Sequence, residues 1–101
     1  MTAIQTMSAL AQPTRLVAYQ ILVEALPGGL ASSELADALG IARNLMSPHL
    51  AIMSRAGLVS STKSGRTVTY RARVDTVKRL ASYLDHAADR GAMATEEPHQ
   101  P

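Results

Sequence analysis

Two groups of side chains in this sequence are suited to holding a polyanion rather than to making or breaking bonds. Arg43, Asn44, Ser47, Pro48 and His49 fall within seven consecutive residues. Arg presents a fork of N–H groups that fits guanine O6 and N7, and Asn fits adenine N6 and N7. The second group is Lys63, Arg66 and Arg71, whose charges suit phosphate oxygens or an adjacent minor groove. His49 could also serve as a metal ligand or general base. The plainer reading makes it a buttress for its helix or a phosphate contact.

The charge distribution supports this pairing of groups. Residues 42–73 contain Arg43, Arg55, Lys63, Arg66, Arg71 and Arg73 and no acidic residue. The rest of the chain has four basic and eight acidic residues, so the modest total of +2 conceals a polarised molecule. Such a surface suits nucleic acid.

Other chemistries find little support. The absence of cysteine removes disulfides, thiolate metal sites and thiol nucleophiles together. Ser, His and Asp all occur, but in no arrangement resembling a nucleophile elbow or a phosphate-binding loop. No apolar run reaches the length of a membrane span, and no signal-peptide pattern opens the chain. The expectation is a soluble, cytoplasmic protein without cofactor or catalytic site.

The elements that must position these residues follow from periodicity. Ile4, Met7, Leu10 and Ala11 predict a short helix over 3–11. Pro13 opens a second helix running to Leu26, apolar on most sides and therefore expected to be the central buried helix. Pro27-Gly28-Gly29 ends it. Ser32 or Ser33 is placed to cap a third helix ending at Leu39, with Gly40 as its stop. A fourth helix over 43–56 repeats Met46, Leu50 and Met53 at core spacing. The third and fourth helices and their tight turn form the helix-turn-helix pattern. The period then changes to two. Val68, Tyr70 and Ala72 alternate with polar residues in a strand over 67–73, paired with Leu58–Thr62 around a tip at Lys63-Ser64-Gly65-Arg66. Asp75–Ala88 returns to helical spacing. From Gly91 the short polar stretch reads as a flexible tail.

The expected architecture is therefore mainly α with a two-stranded hairpin, in the order four helices, two strands, one helix. Residues 1–90 form one domain, followed by the tail at 91–101. Ile4, Met7 and Leu10 on the first helix, with Val77, Leu80, Ala81, Leu84 and Ala88 on the last, offer more apolar surface than a small domain can cover. They predict a homodimer interface. Two-fold symmetry would space the two reading helices roughly 34 Å apart, so the matching DNA would be an imperfect palindrome.

Specific stretches also resemble a known family. LAQPTRL at 10–16 resembles the second-helix opening of ArsR-type winged helix-turn-helix repressors, and residues 32–72 resemble their helix-turn-helix and wing. The Ser47-x-His49-Leu50 step, the Arg55-Ala56-Gly57-Leu58-Val59 exit and the Gly65-Arg66…Tyr70 wing carry the likeness most specifically. It extends over roughly residues 7–86. It implies a dimeric repressor that binds an operator near its own promoter and releases it on a signal, whether an inducer or a partner protein. Two departures stand out. Ala42 occupies the usual polar cap of the recognition helix, and Pro48 lies inside it, implying either a late start capped by Asn44 or a kink. The cysteine sensing positions of relatives are Ala31, Ser33, Ala88 and Asp89 here. Of a zinc-type set only Asp75 is retained, since Val77, Ala88 and Gly91 are not ligands.

Two alternatives remain. One is a metal-responsive repressor using Asp85, His86 and Asp89, at i, i+1, i+4 on the last helix. The other is a winged-helix module for protein contact, which acidic residues on the recognition helix would favour; there are none.

Overall fold

The first three helices start where a side chain satisfies an N–H group at or before their first turn. The computed structural model describes residues 2–96. α1 (Ala3–Leu10) begins with a reciprocal cap in which the Thr2 hydroxyl accepts from the Gln5 N–H and the Gln5 side chain accepts from the Thr2 N–H. α2 (Pro13–Glu24) has Pro13 in its first turn, and the Gln12 side-chain oxygen accepts from the Arg15 N–H at 2.9 Å. α3 (Ser32–Leu39) departs from the serine cap expected from sequence. Ser32 is already helical, Ala31 is the flanking residue, and the Glu34 carboxylate accepts from the Ala31 N–H at 2.8 Å.

The reason lies in a strand that the sequence did not reveal. β1 (Leu30–Ala31) pairs antiparallel with β3 (Thr67–Ala72), Leu30 opposite Tyr70 and Ala31 opposite Thr69. This pairing holds the chain extended up to Ala31, so the helix can begin only at the next residue. β2 (Val59–Ser64) pairs with the other edge of β3, giving a three-stranded sheet in the order β1-β3-β2 rather than a lone hairpin. Gly29 makes the approach to β3 possible. Its φ is +84°, and a Cβ there would lie 2.5 Å from the Tyr70 carbonyl oxygen.

α4 (Arg43–Arg55) buries Met46, Leu50 and Met53, as their spacing requires. They meet Leu22 of α2, Leu35 and Ala36 of α3, and Leu58 and Val59 at the start of the wing. The helix starts at Arg43 with Ala42 flanking it and is continuous through Pro48. The late start capped by Asn44 is therefore not adopted. Pro48 and Asn44 both lie on the exposed side, so water can satisfy the Asn44 carbonyl that proline leaves without a partner.

Two further expectations need correction. α2 is buried on one side only. Ala18, Tyr19 and Leu22 are buried, whereas Leu16, Val17 and Val23 are exposed. α3, α4 and β3 pack against α2 and cover one of its faces. The last helix, α5 (Val74–Glu96), runs on past Gly91, so the expected tail is helical as far as Glu96. Residues 97–101 lie outside the described residues. From Ala81 to Thr95 every α5 residue is exposed, and the molecule is correspondingly elongated, 66 Å by 23 Å.

Leu50 is almost fully buried at the centre of this packing. Leu50→Ala is expected to cost about 2–5 kcal/mol of unfolding free energy in urea denaturation, a large part of the total for a domain this size.

Candidate nucleic-acid interface

Burying Met46, Leu50 and Met53 turns the opposite side of α4 outward. Arg43, Asn44, Ser47 and Pro48 all lie on that exposed side. The structure thus brings together four of the five helix residues singled out from sequence. His49 stands apart, half-buried, with its Nδ1 3.3 Å from the Arg15 guanidinium. Arg cannot accept a hydrogen bond. In this geometry Arg15 is therefore the donor and His49 Nδ1 the acceptor. Arg15 Nε also donates to the Ala9 carbonyl at 2.7 Å. One side chain of α2 thereby ties the end of α1 to the middle of α4. His49 thus contacts Arg15 and stands apart from the outward group.

Arg43 is not a bare cation. Its Nε donates to Asp37 Oδ1 at 3.2 Å and its Nη2 to Oδ2 at 2.8 Å, across the α3–α4 turn. That turn is made by Gly40 in the left-handed conformation, with φ +71°. The hydrogen bond from Arg43 holds the Asp37 carboxyl below the ordinary carboxylate range. The pair therefore persists through neutral pH and is lost only in acid, as Asp37 takes up a proton.

The remaining basic residues divide in two. Lys63 near the end of β2 and Arg66 in the turn are exposed at the wing tip, and among the described residues no ion pair or side-chain hydrogen bond engages either. Arg71 is committed to the sheet: its Nε donates to the Pro27 carbonyl at 3.0 Å and its Nη1 to the Thr62 hydroxyl at 2.7 Å. Arg73 pairs with Asp75 at 2.9 Å. Arg55 faces a cleft against α1, beside Ile4, Gln5 and Ile52. The six cations of residues 42–73 thus take different roles in space, and sequence reasoning had no signal for the Asp37, Pro27 and Thr62 contacts.

The wing is attached to the body at its base. The Arg73 N–H donates to the Leu58 carbonyl at 2.8 Å, and the Tyr19 hydroxyl donates to the Arg73 carbonyl at 3.2 Å. Burial, with a smaller contribution from the Asp75 charge, holds the Tyr19 phenol above its ordinary pKa, so it stays a neutral donor.

The residues expected to pair two copies of the chain also divide. Leu80 is buried within the protomer, and Met7, Leu10 and Val77 are half-buried, Leu10 and Val77 against the core. Ile4 is 75% exposed and Leu84 44%, and Ala81 and Ala88 are exposed as well. Tyr83 and Met93, which helical spacing alone did not single out, add 61% and 70% exposed apolar groups to α5. Asp85, His86 and Asp89 are exposed on the same helix, and no group of three potential metal ligands converges among the described residues. Nor is any helix among them long and apolar enough to cross a membrane.

Comparison with known proteins agrees with this geometry. A family model described as helix-turn-helix domain matches residues 10–62. The HTH-type transcriptional regulator NmtR of Mycobacterium tuberculosis is 35% identical over 82 residues, covering 81% of this chain. The chain spans 63% of that curated relative's length. Among solved structures, an ArsR-like transcriptional regulator from Rhodococcus sp. RHA1 superposes with a TM-score of 0.80 at 28% identity, covering 94% of this chain and 90% of its own. The homodimeric winged helix-turn-helix DNA-binding domain of Mb0332 from Mycobacterium bovis shares the fold, with a TM-score of 0.67 at 23% identity over 96% of this chain and 86% of its own.

Arg15→Ala is expected to lower stability by about 1.5–3 kcal/mol, because a charged donor is withdrawn from a part-buried carbonyl and from His49 at once. A thermal melt or urea titration of the variant checks this.

Proposed function

We propose that this chain, which belongs to the helix-turn-helix domain family and is a winged helix-turn-helix of the ArsR type, is a sequence-specific DNA-binding transcriptional regulator acting as a homodimer. The observation that carries the reading is the division of α4. One side is consumed by Met46, Leu50 and Met53, and the other presents Arg43, Asn44, Ser47 and Pro48 to solvent. A helix anchored on one side and open to solvent on the other fits the major groove, with its N-terminal residues at the base edges. Lys63 and Arg66 at the wing tip reach the flanking phosphates and supply affinity without sequence preference. Arg71, held by Pro27 and Thr62, keeps the wing in place rather than reaching for DNA.

The dimer reading rests on α5 and α1. The apolar surface of Ile4, Ala81, Leu84 and Ala88 is left open in the protomer, and a second copy related by two-fold symmetry would cover it. Two reading helices related in this way call for an imperfect palindrome. Repression of a promoter near its own gene is the regulatory outcome proposed.

Fluorescence anisotropy on DNA from the chain's own upstream region, against random DNA at two salt concentrations, tests the reading. Tight, salt-sensitive binding that prefers the upstream DNA is expected; equal and weak binding to both would count against it. Lys63→Ala and Arg66→Ala are expected to weaken binding to every sequence and to flatten the dependence of log K on log salt by about 0.9 for each phosphate no longer neutralised. An unchanged slope would remove the wing from the interface. Leu84→Glu, at a position already half open to water, is expected to leave the protomer folded and to shift it to monomer in sedimentation. A dimer surviving that change would remove α5 from the interface.

A further inference from the structure

We infer that Asp37 is a positioning residue for base recognition, holding the Arg43 guanidinium so that its outer edge alone is offered to a guanine. The inference rests on the DNA-binding reading above and deepens it.

The argument comes from how a guanidinium uses its five N–H groups. Nε–H and the nearer N–H of Nη2 form one edge of the fork. Those are the atoms engaged here, with Nε 3.2 Å from Asp37 Oδ1 and Nη2 2.8 Å from Oδ2. The outer edge, made of one N–H on Nη1 and the second N–H on Nη2, is left over. That edge still has two parallel N–H groups, which fit guanine O6 and N7. The side chain is 68% exposed, so the leftover edge is not covered by the protein.

Location and charge point the same way. Arg43 is the first residue of α4, where a helix entering the major groove brings its side chains to the base edges. Asp37 sits across the turn on α3, and its own side chain is 57% exposed. A carboxylate at such a place repels phosphates, so on charge alone it weakens DNA binding. An exposed pair of this kind also adds little to fold stability. What the two-point contact does provide is a fixed guanidinium plane. An Arg on a flexible stem loses rotamer freedom when it docks, and a carboxylate that has already restrained it lowers that cost.

The test is a selection from randomised duplex DNA with the wild type, Arg43→Ala and Asp37→Asn, sequencing the bound pool at one salt concentration. Arg43→Ala identifies the base position that depends on Arg43, where the preference for guanine collapses. At that position Asp37→Asn is expected to reduce the guanine preference by about two- to fivefold, the span of an exposed pair's contribution. Preferences elsewhere should stay unchanged, while affinity for random DNA should be equal or higher because a negative charge is gone. Asp37→Asn that strengthens binding to all sequences while keeping full guanine preference at that position would overturn the inference and leave Asp37 as a charge only. Arg43→Ala that changes no single position would overturn it too. A wild-type protein that enriches no sequence would overturn the DNA-binding reading itself, and that result is read before either variant is scored.

Discussion

The structure depends on burying one face of α4 while leaving the other in water. Met46, Leu50 and Met53 are essentially inaccessible to solvent. Each such side chain is worth about 1.5–3 kcal/mol when removed from water, which is enough to fix the helix's rotation about its axis. Once that rotation is set, the outward position of Arg43, Asn44, Ser47 and Pro48 follows without further cost. It also explains how a proline persists inside the helix. The interrupted hydrogen bond lies on the wet side, where a carbonyl finds water, rather than against Leu22 and Leu35, where it would not. The wing depends on the same packing. Leu58 and Val59 leave α4 directly into the core, and the Arg73 N–H closes back on the Leu58 carbonyl.

Electrostatics in this molecule orients more than it stabilises. The ion pairs among the described residues, Arg43 with Asp37 and Asp75 with Arg73 and Arg79, are all solvent-exposed. Pairs of that kind contribute little to folding. Their effect is to decide which cations are already engaged. Arg71 is spent on the Pro27 carbonyl and Thr62, joining the wing to the α2 exit. Lys63 and Arg66 remain at the tip. A stretch of uniform positive charge therefore resolves into a restrained Arg43 on the helix, a structural Arg71 in the sheet and two tip cations.

α5 follows a different logic from the rest. Its first two turns carry the buried Leu80 and the half-buried Val77 and pack against α1, and from Ala81 to Thr95 every residue is exposed. An isolated helix segment is marginal in water unless its apolar face is covered. Ala81, Leu84 and Ala88 leave an apolar stripe open along one side of it, and the proposed second copy would cover it. The same helix would then set the distance between the two reading helices, linking assembly to recognition.

Much of this was legible in the sequence. The Met46, Leu50 and Met53 spacing located the recognition helix, Gly40 marked the turn before it, and the change from a period near four to a period of two located the wing. These signals are local, because helical and strand periodicity and glycine's access to positive φ are written into neighbouring residues. What escaped was set by contacts between distant segments. The two-residue strand at Leu30–Ala31 carries no periodicity and exists because Gly29 lets the chain approach Tyr70. The partly exposed state of α2 depends on which elements pack beside it, and the extension of α5 past Gly91 on a helix that simply continues. The pairing of Arg43 with Asp37, and of Arg15 with His49, needed the helices to be placed first. The sequence by itself determined the five helices and the wing hairpin, the core face of α4 and the presence of a basic surface. Only the tertiary structure decided which of those basic groups are already engaged, because hydrogen bonds between side chains depend on distances that chain spacing does not set.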